Sequence, residues 1–406
     1  MNALARIPGR RRAGAGGDIK VSAPHMGNMH LLLEDLFGRL GCEYVKPPPS
    51  SIKTLQIGAK HSPEFACLPL KINIGNFIQA LDRGANTLTM AGGHGPCRFG
   101  YYGIVEERIL RDLGYQFDFL MLEPFSDGAR AFYRTFAALS PGLSIRKLWK
   151  ILKMSFSKGR SFDHLRKRAL QVRAYEVNRG DTTKALKAAE ELLAGAVSPE
   201  EIEAASAEAM GMLDGVRQDR ERDVLKVGIV GEFYLLLEPF SNYDLEEILG
   251  HEGVYLERTV WVTDWIAPRR DNKIYGFPKK LIEEKAAPFL NHNVGGEGRE
   301  TVGSTVLFAE RGFDGVIQLL PFGCMPENIA TSIIPRVQQQ HDIPVLTLAF
   351  DEQTGRAGLV TRLEAFLDLL MARRGSRLVS ATGSREKITQ AVTPECAACA
   401  ARGGCK

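Results

Sequence analysis

GVIQLLPFGCMPENIATSIIPRVQQQ (315–340) decides how this chain folds. GVIQLLPF (315–322) is an apolar run of strand length, ended by Pro and Gly, and reads as a buried strand. ENIATSIIPRVQQQ (327–340) reads as a helix. Between them stands Gly-Cys-Met-Pro (323–326). Proline suits the first turn of a helix, because its missing N–H would be unpaired there anyway. Cys324 therefore belongs to a helix start, just beyond the carboxyl end of a strand. A strand running into a helix through a short loop is the repeating unit of a parallel sheet covered on both faces.

The unit recurs in both halves. In the first, DIKVSAP (18–24), EYVKPP (43–48), ANTLTMAG (85–92) and FDFLMLEP (117–124) read as strands. The spacing predicts helices over 26–40, 70–81 and 101–113 between them. The second half restarts at LKVGIVG (225–231) and continues with GVYLERTVW (253–261), GVIQLLPF and PVLTLAF (344–350). Helices are expected near 241–249, 299–310, 326–339 and 358–373. The fold class is α/β, with two Rossmann-like parallel-sheet domains, 18–126 and 223–376. A basic arm (1–17) precedes them and a Cys-rich tail (377–406) follows. From 127 to 222 no strand signal appears, which predicts a helical insertion. Its stretch 145–173 is basic and amphipathic, either a solvated helix face or a surface for phosphate, an anionic partner or a membrane.

Composition narrows the function classes. The chain has 406 residues, 44% hydrophobic and 25% charged, the balance of a globular protein with sizeable cores. A net charge of +4 over this length does not by itself argue for nucleic acid. No apolar run is long enough for a membrane-spanning helix. The first 17 residues hold four Arg and no acid, and they lack the apolar core of a secretory signal. The expectation is a disordered arm on a cytoplasmic protein.

The seven cysteines are Cys42, Cys67, Cys97, Cys324, Cys396, Cys399 and Cys405. An odd number, widely spaced in a long chain without a signal, is no disulfide framework. FACLP (65–69) repeats the pattern of FGCMP (322–326): Phe, small, Cys, long apolar, Pro. Cys97, in GGHGPCRFGYYG (92–103), also precedes a helix and follows a strand. Ligands of open α/β sheets sit at the carboxyl ends of strands. A helix start supplies free N–H groups and positive potential, which suit a thiolate or an anionic thiolate-bound group. Glycines such as Gly95 and Gly323 let the backbone approach a bulky inorganic ligand. Three thiolates favour Fe–S, Zn or Cu(I). They form no close pair of the kind structural zinc uses, which favours a [4Fe–4S] cluster with one iron open. In the tail, C-x2-C-x5-C would hold a second cluster or zinc, although three ligands alone leave that site incomplete. Cys42 reads as a packing residue.

PHMGN (24–28), GAKHSPEFACLPLKINIGNF (58–77), GGHGPCRFGYYG (92–103), KVGIVGEFY (226–234) and FDEQTGRAGLVTRLEAFLDLL (350–370) resemble the CoA-activase-associated proteins. These belong with the 2-hydroxyacyl-CoA dehydratase D-components, the benzoyl-CoA reductase subunits and the double-cubane cluster proteins. The resemblance spans about residues 19–373 and leaves out the arm and the tail. It implies an iron–sulfur cluster between two Rossmann-like domains, held by Cys67, Cys97 and Cys324. It also implies a homo- or heterodimer, an acyl-CoA substrate, and a separate ATP-hydrolysing activase that supplies a low-potential electron. The chain carries neither G-x4-G-K-[ST] nor G-x-G-x-x-G, in keeping with an outside ATPase.

Polar residues in the matched stretches are candidates for the surrounding chemistry. Arg98, Lys71 and His94 would counter cluster charge, orient an anionic substrate or deliver protons. Glu64 and Glu232 would donate protons if buried. His61, Glu327 and Asn328 complete the set, and Asp351, Glu352 and Thr354 would shape a turn. Three function classes follow. The first is an electron-accepting dehydratase-like lyase or ATP-driven reductase, with a double-cubane [8Fe–9S] small-molecule reductase as a variant that needs three further thiolates. The second is a non-catalytic cluster-bearing relay. An apolar pocket beside the cysteines would favour the enzyme over the relay. The third is a zinc-stabilised or metal-free α/β binding protein.

Overall fold

The computed structural model describes residues 19–92, 97–122, 128–266 and 278–391. The basic arm, His94, Gly95 and the tail cysteines Cys396, Cys399 and Cys405 lie outside the described residues. The first half runs β1 (Lys20–Ser22), α1 (Met29–Arg39), β2 (Glu43–Tyr44), α2 (Ile52–His61), α3 (Leu68–Asp82), β3 (Thr87–Ala91), α4 (Phe99–Asp112) and β4 (Asp118–Leu122). Four helices follow: α5 (Gly128–Leu139), α6 (Ile145–Arg173), α7 (Asp181–Gly195) and α8 (Pro199–Asp214). The second half runs β5 (Lys226–Gly231), α9 (Phe233–Leu237), α10 (Leu245–His251), β6 (Tyr255–Arg258), α11 (Val262–Ile266), α12 (Lys279–Ala286), α13 (Gly298–Glu310), β7 (Gly315–Pro321), α14 (Met325–His341) and β8 (Val345–Phe350). One compact unit ends at Thr354, and a second begins at Gly355 and contains α15 (Arg356–Ala391).

The protein is α/β, and each half builds one four-stranded sheet, all parallel, in the orders β2-β1-β3-β4 and β6-β5-β7-β8. The two orders are the same once the second set is renumbered from its own first strand. In both, the chain steps outward from the first strand and then returns to its other side. That reversal opens a crevice at the carboxyl ends of β1 and β3, and of β5 and β7. All seven residues of β7 are buried, as expected of a strand covered on both faces.

Local chemistry explains the helix bounds. Cys67 and Cys324 are the N-caps of α3 and α14, and each is followed by Pro in the first turn. Ser51 and Thr54 form a capping box that starts α2. α2 and α3 touch through glycines: a Cβ on Gly58 would lie 1.5 Å from the Lys71 carbonyl oxygen, and one on Gly75 2.0 Å from that of Thr54. α15 continues past residue 376, where the sequence reading ended the C-terminal domain, as far as Ala391. The stretch 377–391 contains no proline to stop it.

The helices between the sheets share their cores with the first half. Leu148 and Ile151 of α6 pack with Val21, Phe37 and Phe136, whereas Phe162, Leu165 and Ala169 further along join Leu193, Ala209 and Leu213 of α7 and α8. Much of the basic stretch is tied up internally. Buried Lys158 pairs with Asp35 at 3.2 Å and donates to the carbonyls of Ala194 and Ala196 at 2.8 Å each. Arg166 pairs with Glu190 and Arg168 with Asp214. These are packing ion pairs, and they leave a smaller free basic face than the sequence suggested. No helix among the described residues is long and apolar enough to cross a membrane.

Candidate functional site

Cys67, Cys97 and Cys324 are brought into one another's electrostatic reach from three separate loops. Cys97 stands two residues before α4, after the loop that leaves β3, and Cys324 caps α14 just beyond β7. The F-x-C-x-P repeat is thus one local device used twice. The pieces are joined by Arg98. Its guanidinium donates to the Phe65 carbonyl at 2.9 Å and to the Gly323 carbonyl at 2.8 Å. One planar cation therefore ties the two repeated stretches together from the loop that carries Cys97. Gly323 presents its carbonyl from φ +74°, a backbone conformation that favours glycine.

The thiols sit among hydrogen-bond donors and acidic groups. The Phe99 N–H points at Cys97, and the Glu327 N–H at Cys324. The Tyr102 hydroxyl bonds the Cys67 sulfur. Burial outweighs these contacts, pushing Cys67 up to about 12 and Cys97 up to about 11, and Cys324 also rises. The sequence reading gave the helix starts more weight; desolvation of the thiolate is the stronger effect here. All three thiols feel Glu232, which is itself raised to about 7 by burial. Glu232 caps α9, its Oε2 accepting the Leu235 N–H at 3.0 Å. Glu327 is buried beneath Cys324, accepts from Thr301 at 3.0 Å and Gln318 at 2.9 Å, and is likewise raised to about 7 by burial.

The other candidates divide. Lys71 is buried and pairs with Glu352 at 2.6 Å, joining α3 to the turn after β8. In that turn the Asp351 N–H donates to the Thr354 hydroxyl, which donates back to the Asp351 carboxylate. Glu64 is exposed in the turn before Cys67, so the burial on which its proton-donor role depends is absent. His61 ends α2, half-buried, and Asn328 is exposed on α14. Cys42 is buried against the Leu139 carbonyl, away from the other thiols, as a packing residue. PHMGN leaves β1 and is used in packing: the Gly27 N–H donates to Glu238, and Asn28 donates to Asp163, which also holds Thr263.

Sequence reasoning missed Tyr102, Glu106 and the Gly295-Gly296-Glu297 segment. A Cβ on Gly296 would stand 3.2 Å from Pro326 and 4.0 Å from the Cys97 sulfur, which places this segment against both cysteine loops. Its Gly-Gly before a helix was the available signal. The rim is apolar and open: Phe65 is 87% exposed and Phe322 70%. A pocket of about 240 Å³ lies beside Cys67, lined by Phe65, Leu70, Arg98, Tyr101, Tyr102 and Val105.

Among the described residues no three His, Cys, Asp or Glu side chains close on one point as ligands of a single ion do. Ligands of a multi-iron cluster bind different irons and need not converge so tightly. On donor chemistry the site fits such a group: three thiols from three loops, N–H donors to two sulfurs and a neighbouring guanidinium. No protein-family profile matches the chain, and no curated protein matches it in sequence.

Proposed function

We propose that Cys67, Cys97 and Cys324 hold one [4Fe–4S] cluster between two Rossmann-like halves, with the helices between the sheets as an insertion. The chain accepts a low-potential electron there and applies it to a bound substrate, in a reduction or a dehydration. The observation that supports this most is Arg98, whose two hydrogen bonds lock both F-x-C-x-P stretches around the loop of the third cysteine. A thiolate-bound cluster would supply one-electron chemistry at a potential set by its hydrogen bonds and burial.

The chain's own residues supply the rest. Arg98 offsets negative charge at the thiols and offers its face to an anionic substrate. Glu232, raised to about 7 by burial and within electrostatic reach of the three thiols, is a proton donor for that chemistry. The pocket beside Cys67 takes a small apolar group next to Arg98 and Tyr102, which favours a catalytic chain over a pure relay. An acyl thioester, as the resemblance implies, presents such a group beside a carbonyl. An ATP-hydrolysing activase as electron donor, a dimer and a cytoplasmic setting belong to the same reading. Exposed Phe65, Phe322 and Met325 support the relay as the runner-up, since they give a partner an apolar landing close to the thiols.

Anaerobic purification followed by one-electron reduction and EPR tests the reading. It predicts a cluster signal that is lost in Cys67→Ala, and one that an acyl thioester perturbs. A signal indifferent to every such ligand favours the relay; no signal rejects both.

A further inference from the structure

The first turns of α6 leave one face bare. Trp149 is 71% exposed, and Ile145, one turn before it, is 66% exposed. Arg146, Lys147, Lys150 and Lys153 are exposed around them. At about 3.6 residues per turn, Ile145 and Trp149 form one edge of this face, with Lys153, Arg146 and Lys150 beside them. Leu148 and Ile151 lie on the opposite side and pack with Val21 and Phe37, so the exposed side is held outward. The Ser144 hydroxyl accepts the Lys147 N–H at 3.2 Å and fixes where the helix begins.

The charges on this face are not balanced from within. No Asp or Glu occurs from Gly128 to Phe162. None of the four cations forms an ion pair with a described residue, whereas Lys158, Arg166 and Arg168, further along the same helix, each do. Arg146 and Lys147 stand in the first turn with no acid beside them, where the helix dipole disfavours a cation. An apolar side chain exposed singly is ordinary, but Trp149 and Ile145 stand together among unpaired cations. We propose that this face of α6 rests on an anionic lipid bilayer, with Trp149 and Ile145 at the headgroup boundary and the four cations against lipid phosphates and carboxylates.

The apolar pair selects the bilayer from among polyanions. A Trp ring gains at the membrane–water boundary, where its body leaves water and its N–H stays wet. Ile145 gains there too, whereas nucleic acid, read by stacking and by hydrogen bonds to base edges, has no use for an aliphatic side chain at that position. Lys and Arg stems cover apolar surface while their heads reach the phosphates. A basic helix face edged by Trp and Ile is the pattern of a helix that lies in the plane of the interface. Because the other side of α6 is already used in the core, the contact is shallow and peripheral, and each cation adds to it only within a Debye length of the lipid charge. The inference does not depend on the thiol site.

Sedimentation of the full-length chain with lipid vesicles tests this. Phosphatidylcholine vesicles containing phosphatidylserine should carry the chain down, phosphatidylcholine alone should not, and added salt should weaken the binding. Lys150→Ala should loosen binding about fivefold, and Trp149→Ala about tenfold or more. Lipids brominated in the upper acyl chain should quench tryptophan fluorescence in the wild type and not in Trp149→Ala. Both side chains are exposed, so both variants should keep the wild-type unfolding midpoint, which separates a lost contact from a lost fold. Vesicle binding that both variants leave unchanged, or quenching that survives Trp149→Ala, overturns the proposal and points to another surface, such as the basic arm. Failure to bind phosphatidylserine vesicles overturns it as well, and an RNA oligonucleotide or acidic peptide held through Lys150 in their place would assign the face to that class instead.

Discussion

Replacing Glu352 by Ala strands the Lys71 ammonium. The pair closes at 2.6 Å, with the Lys71 side chain 4% exposed and Glu352 29% exposed. Removing one partner of a buried pair costs about 3–5 kcal/mol, because the remaining charge stays desolvated. Water reaches Glu352, so about 2–3 kcal/mol is expected for Glu352→Ala, just below that range. Lys71→Met removes the buried charge instead and leaves a carboxylate that can turn to solvent, so about 0–1 kcal/mol is expected. The double variant should then resemble Lys71→Met, giving a coupling of about 2 kcal/mol. Urea unfolding, comparing midpoints at constant slope, measures all three. If Glu352→Ala proves as mild as Lys71→Met, the ammonium is not stranded, and the buried bridge from α3 to the turn after β8 is not the constraint inferred here.

Other outcomes follow from the same contacts. Arg98→Ala removes both guanidinium bonds of an exposed side chain, which should cost about 1–2 kcal/mol and speed the reaction of Cys67 and Cys324 with a thiol reagent. Arg98→Lys should not restore the wild-type rate, since an ammonium lacks the fork that reaches two carbonyls. Gly75→Ala should destabilise by about 3 kcal/mol or more, because its Cβ would meet the Thr54 carbonyl oxygen at 2.0 Å; equal stability would show that α2 and α3 can separate freely. Glu106, Glu232, Glu238 and Glu327 all rise above the ordinary carboxylate value, to about 8, 7, 7 and 7, through burial. In that range the folded state binds more protons than the unfolded one, so their stabilising contribution, complete below the usual carboxylate range, is lost as pH climbs through 7 and 8. Each group can add a slope of at most about 1.4 kcal/mol per pH unit, and Glu327→Gln should flatten the curve measured by denaturation across that window.

Much of this fold could be read from the sequence because parallel strands leave unmixed apolar runs. All eight expected strands form, although the edge strand β2 shrinks to Glu43–Tyr44, where only one neighbour pairs with it. The helix starts at Cys67 and Cys324 were legible through their prolines. α2 was missed because Ile52–His61 is short and polar on much of its surface; its Ser51–Thr54 cap was the usable signal. Arg98 stood out as a charge, but its role did not, since its acceptors are backbone carbonyls that leave no mark in sequence. Tyr102 and Glu106 lie in a stretch, FGYYGIVEERIL (99–110), where the run Glu106-Glu107-Arg108 does not mark which charge is buried. Only the packing of α3 and α9 against that helix shows that Glu106 is inside.

Iron and acid-labile sulfide per chain, on protein purified without oxygen, test the central claim most directly. Wild type would be compared with Cys67→Ala, Cys97→Ala, Cys324→Ala and a chain ending at Thr393. The account predicts one four-iron cluster per chain, lost in each point variant and retained in the truncation, with the two F-x-C-x-P stretches as jaws of a single site. Iron that survives loss of Cys67 and Cys324 but disappears with the tail, or a chain that binds zinc or no metal at all, would contradict it.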